Sequence, residues 1–145
     1  MGNRITAKVE GGEALIAKLQ KMGVDVERLL ETAAQAGATV IADEASSLAP
    51  SPDVRVETAE RERGRVTVDI GPPDEKWHWR FVETGAGRHG ITGSPLVFEG
   101  SEGTVVTFGV DHPGMAARPF LRPALDKEKD AARDEVGSTL KGALK

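Results

Sequence analysis

Two prolines four residues apart, Pro119 and Pro123, sit in the run Ala117-Arg118-Pro119-Phe120-Leu121-Arg122-Pro123-Ala124-Leu125. Each proline fixes its own φ at about −65°. Each also pushes the residue before it, Arg118 or Arg122, toward extended geometry. Phe120 and Leu121 stand between them as apolar anchors. Such a segment is a stiff, pre-shaped lead-in to a helix, not a catalytic loop. The helix that follows is expected from about Pro123, with Leu125, Ala132, Val136 and Leu140 on one side and Asp126, Lys129, Asp130, Arg133 and Asp134 on its outer faces.

Upstream, period-two alternation marks the strands. Ile5, Ala7 and Val9 alternate with polar neighbours, as do Val54 and Val56, then Val66, Val68 and Ile70, then Val106, Phe108 and Val110. Alternation of this kind buries one face of a sheet and wets the other. The polar stretch 59–64 makes a hairpin of the second and third strands, and Leu96 to Glu99 is set to pair with 104–110 around Gly100 to Gly103. Two amphipathic helices precede them. Glu13 to Met22 puts Leu15, Ile16, Leu19 and Met22 on one stripe, ended by Gly23. Asp25 caps a longer helix whose inner face carries Val26, Leu29, Leu30, Ala33, Gly37, Val40, Ile41 and Leu48, and Pro50 and Pro52 end it. Its small residues, Ala33, Ala36, Gly37 and Ala38, allow close approach of a neighbour. A third, short helix is expected over 75–84, capped by Asp74 and closed by Gly85. The expected class is α+β: a mostly antiparallel four-stranded sheet packed by the long helix, with a short N-terminal helix and a C-terminal helix. The 145 residues fit one domain over 1–145. Glycines recur between Gly85 and Arg118, and a glycine-rich loop is expected at about 86–103.

Composition narrows the functions. There is no cysteine, hence no disulfide framework and no thiolate metal site. The net charge of −4 speaks against sequence-independent DNA binding, which needs a basic face. No apolar run reaches the roughly 20 residues of a membrane span. Arg4 and Lys8 interrupt what would be a signal peptide, and Met1-Gly2-Asn3-Arg4-Ile5-Thr6 matches an N-myristoylation pattern only loosely.

No constellation points to catalysis, so no catalytic, cofactor or metal residues are assigned. Gly85-Ala86-Gly87-Arg88-His89-Gly90 has the G-x-G-x-x-G spacing but lacks a strand before it and a helix after it. His78, His89 and His112 have no metal-ligand spacing, although His89 and His112 meet if the glycine-rich segment folds back. Ser94, Ser101 and Ser138 lack a nucleophile elbow. Glu83 is the one acid in plainly apolar company, beside Phe81 and Val82, and pairing with Arg80 or Arg118 is its expected role. On a continuous third helix Trp77 and Phe81 form an i,i+4 aromatic pair in the core, and Trp79 points another way, toward a partner.

Two motifs carry a resemblance. The sequence Arg80-Phe81-Val82-Glu83-Thr84-Gly85, followed by the Arg-Pro-Phe-Leu-Arg-Pro-Ala run, resembles the tail-completion, or head–tail joining, family of tailed-phage neck proteins. The likeness is strongest over 76–125 and extends in pattern to the N-terminal strand and helices. One departure is local: after Ala49-Pro50 the family runs through a Val-Asp-Thr-Gly turn and a Leu-Arg-x-Ser-Ile strand, whereas this chain has Ser51-Pro52-Asp53-Val54 and a charged hairpin. The resemblance implies a non-enzymatic virion part without cofactors, made in the bacterial host cytoplasm and placed in the neck between the DNA-filled head's connector and the tail tube. It implies self-assembly into a ring, a hexamer to match the tail. Its partners would be the head-closure or connector protein and the tail terminator or tube protein, with genomic DNA as passing cargo and no membrane. The interface candidates are Trp79, Arg80, Glu83, Arg88, His89, Arg118, Phe120 and Arg122, with Phe120 alternatively a core anchor. A tail terminator that caps the tube is the alternative function, followed by a small nucleic-acid-binding protein.

Overall fold

The computed structural model describes residues 5–10, 12–51 and 53–144. Met1 to Arg4, with the loose acylation pattern, lie outside the described residues, as do Pro52 and the side chains of Ala7, Val9 and Leu15. The chain runs β1 (Ile5–Glu10), α1 (Glu13–Lys21), α2 (Val26–Leu48), β2 (Arg55–Glu62), β3 (Arg65–Gly71), a single 3₁₀ turn (Asp74–Lys76), α3 (Trp79–Thr84), β4 (His89–Gly100), β5 (Gly103–His112) and α4 (Leu121–Ala143).

The strands form two separate antiparallel sheets rather than one of four strands. In the first, the order is β1-β3-β2, with Val68 opposite Ala7 on one side and Thr58 on the other. Its central strand buries Val66, Val68 and Ile70 completely, as their alternation predicts. The second is the β4–β5 hairpin, with Val97 opposite Val106 and Gly100 opposite Gly103. So the pairing expected for 96–99 holds, but the expected glycine-rich loop at 86–103 is mostly strand, and the alternation of Val106 and Phe108 does not mark a buried face. Residues 105, 106 and 108 are all exposed. The hairpin carries apolar side chains on both faces, so it lacks the wet face that lets one antiparallel layer sit on a core.

The helical layer follows the sequence more closely. Asp25 caps α2 by accepting the Arg28 N–H at 3.1 Å, and Gly23 ends the first helix at φ +74°. Along α2, Val26, Leu30, Ala34, Ala38, Ile41 and Ala45 are buried, although Leu48 at its end is exposed. The small-residue stripe receives α4. A Cβ on Gly37 would stand 2.6 Å from Val136 Cγ2 and 2.8 Å from the Ala132 carbonyl oxygen, so only a glycine lets the two helices cross at this distance. Outside, Arg61 binds Glu31 through two nitrogens and Thr58 donates to the same carboxylate at 2.8 Å, tying β2 to α2. Those hydrogen bonds, from Arg61 first and Thr58 second, hold the Glu31 carboxyl below its ordinary value.

Candidate functional site

The two sequence motifs, about 35 residues apart, meet and lock together. A helix leaves its first four N–H groups without internal partners. For α4 these belong to Phe120, Leu121, Arg122 and Pro123, and Phe120 has no side-chain oxygen with which to cap them. Glu83 supplies the cap from α3. Its Oε2 accepts the N–H of Phe120 at 2.7 Å and that of Leu121 at 3.0 Å, and its Oε1 accepts that of Arg122 at 3.1 Å. Pro123 has no fourth donor to place. The internal ladder then begins with Ala124 N–H on the Phe120 carbonyl. The carboxylate also lies where the helix dipole is positive.

The strand-like approach to α4 is tied to the same short helix. Arg118 N–H donates to the Val82 carbonyl at 2.6 Å, and Ala86 and Met115 exchange both backbone bonds at 2.8 and 2.9 Å. Gly85 closes α3 at φ +75°, and a Cβ there would stand 2.9 Å from both Ala117 N and the Met115 carbonyl oxygen. Positive φ and lack of space both require glycine at this position. From Arg118 to Arg122 every N–H is bonded to the segment 82–83, and the two prolines of the lead-in are residues with no N–H to bond.

This clasp corrects three expectations. Glu83 is buried and pairs with backbone amides, not with Arg80 or Arg118. Phe120 is core, at 1% exposure. Trp79, expected on a partner surface, is 6% exposed, whereas Trp77, expected in the core, is 55% exposed. The cause is the face that Glu83 turns toward α4, and the helix is also interrupted. The 3₁₀ turn ends at Lys76 and α3 starts only at Trp79, so no continuous helix runs over 75–84 and Asp74 does not cap one. Trp79 and Glu83 stand i,i+4 on the new helix. The face that aims Glu83 at α4 therefore also presses Trp79 edge-on against Phe120, with ring centroids 5.7 Å apart. Trp77 and Phe81 do form the expected i,i+4 pair, 6.1 Å apart, but on the outside, where Arg80 lies over both rings.

The clasp positions the hairpin. Arg88 pairs with Asp111 across its base, the Arg88 Nε bond measuring 2.9 Å. Hydrogen bonding from Arg88 is the main cause that holds the Asp111 carboxyl below its ordinary value; desolvation opposes it, and the charge of His89 adds to the lowering. His89 and His112 stack as opposite residues at 5.0 Å, so the two histidines do meet. Among the described residues no group of three or more potential ligands surrounds them. Of the other interface candidates, Arg80, Arg88, His89, Arg118 and Arg122 are exposed. Glu83's capping role had a sequence signal: a helix lead-in with Phe at the cap position, and one acid in apolar company.

Residues 13–85 match the family described as "Bacteriophage HK97-gp10, putative tail-component". The chain belongs to that family. The matched stretch covers α1 to the Gly85 that closes α3, so it includes the Glu83 half of the clasp. The Arg-Pro-Phe-Leu-Arg-Pro-Ala half and the hairpin lie beyond it. No curated protein and no solved structure matched the chain. Membership places this phage protein among tail components, which are structural parts of the virion.

Proposed function

We propose that the protein is a non-catalytic ring subunit of the phage neck, joining the connector of the DNA-filled head to the tail tube. The observation that carries this reading is the β4–β5 hairpin. It stands on a rigid, hydrogen-bonded base yet exposes Val97, Val106 and Phe108 at 59%, 59% and 70%. A monomer rarely leaves such a surface uncovered, whereas a virion part covers it on assembly. The clasp fixes the direction of both the hairpin and α4, which suits a subunit that must present two contacts at a set angle. Its partners on this reading are other copies of itself, the connector or head-closure protein, and the tail terminator or tube. A net charge of −4 suits a conduit that must release passing DNA. Among the described residues no helix is long and apolar enough to cross a membrane.

The test is complementation in vitro. Purified protein is added to a lysate of a phage lacking the gene, which holds filled heads and finished tails. Restored infectivity supports joining. A lysate whose tails are overlong, and which the protein cannot rescue, supports the terminator function instead.

A further inference from the structure

The β4–β5 hairpin is satisfied neither on its faces nor on its edges. Ile91, Val97, Val106 and Phe108 share one face, and Leu96, Phe98 and Val105 share the other. Among the described residues the two strands pair only with each other, so on each the alternate backbone groups that point outward have no partner strand; within β5 the Gly109 N–H and C=O instead bond the Thr107 hydroxyl, at 3.4 and 3.1 Å. A lone two-stranded hairpin is marginal in water, and an open apolar edge is a template for another strand. The usual protections are sparse. The β4 edge is interrupted by a register shift between Thr92 and Leu96, where Pro95 sits, but is regular from Leu96 to Gly100. The β5 edge has no proline or lysine, and its pairing is regular from Gly103 to Thr107, on the near side of the shift that skips Phe108. Between Ile91 and Val110 the only charges are Glu99 and Glu102, both at the tip.

We infer that the outer edge of β5 in one copy pairs with the outer edge of β4 in the next; this rests on the ring reading above. The occupant is a second copy because the two free edges differ. A foreign strand on one edge leaves the other open, whereas identical hairpins laid side by side satisfy both in every subunit. The contact is heterologous, so it propagates past a pair, and it gives a ring where the rotation from copy to copy closes. The apolar residues on each face then run on from copy to copy. The arrangement has one built-in cost: it gathers Glu99 and Glu102 of all copies at one rim, where like charges repel. A basic partner on the tip would reverse the sign of that effect.

The experiment is sedimentation of the full chain at rising salt, wild type against the E99Q/E102Q double variant, followed by hydrogen exchange of the assembled form. Pairing between copies predicts that salt and the double variant each strengthen assembly several-fold, and that alternate amides of both outer edges become slow to exchange. Rings whose hairpin amides exchange as fast as in the monomer overturn edge pairing and leave the ring reading intact. Assembly weakened by salt and by the double variant also overturns it, in favour of contacts between the copies in which Glu99 and Glu102 meet basic groups. A chain that stays monomeric at every concentration overturns the ring reading itself.

Discussion

Glu83 accepts three backbone N–H groups in the interior, so its side chain cannot be shortened without leaving donors buried and unpaired. Glu83→Ala is expected to destabilise the monomer by about 3 kcal/mol, since each unsatisfied buried donor costs about 1–3 kcal/mol and water re-satisfies part of the loss. Glu83→Gln should cost less, because its one oxygen serves the Phe120 and Leu121 amides while its NH₂ group faces the Arg122 N–H. Urea unfolding of the two variants checks the order. A Glu83→Ala protein as stable as wild type would refute the capping role. Phe120→Ala should cost about 3–5 kcal/mol, because the ring fills the interior against Trp79. Trp77→Ala, which removes a larger but half-exposed ring, should change stability by only about 0.5 kcal/mol.

At the scale of elements, the first sheet, α1, α2 and the paired strands at 96–107 were legible because period and caps act locally: Val66, Val68 and Ile70 alternate, Asp25 precedes an apolar run, and Gly23 follows one. The region from Asp74 to Gly85 was not, because its outcome depends on a contact 37 residues away. A continuous helix there satisfies local propensity. Its spacing does not say which face turns inward, and the three amides of Phe120, Leu121 and Arg122, in a helix that lacks its own cap, draw Glu83 and with it Trp79 to the inside. The hairpin was misjudged for a related reason. Recurrent glycines suggest a loop, but cross-strand pairing of Val97 with Val106 and of Phe98 with Val105 outweighs them. Its base allows a pH test. Asp111 has its carboxyl lowered below its ordinary 3.8 by Arg88, so its contribution is full above that value and is lost as pH falls through the lowered one. Protection of the Ala86 and Met115 amides should therefore hold down to about pH 4 and fall only in stronger acid; a loss well above that pH would contradict the role of the Arg88–Asp111 pair. Replacing Gly90 to Asp111 by a short turn should leave the body's cooperative melting intact and abolish assembly into virions. Loss of cooperative melting would show that the hairpin belongs to the folding core.

For the whole molecule, the central claim is that a rigid body with a clasp-mounted, uncovered hairpin is a subunit of the neck. The acidic balance adds one expectation: duplex DNA should not be retained on filters by this protein even at low salt, and salt-sensitive retention would favour a nucleic-acid-binding protein. The most direct measurement is electron microscopy of lysates from a phage that lacks this gene. The account predicts DNA-filled heads beside separate tails of normal length. Overlong tails would contradict joining and support termination, and normal infectious particles would contradict any neck function.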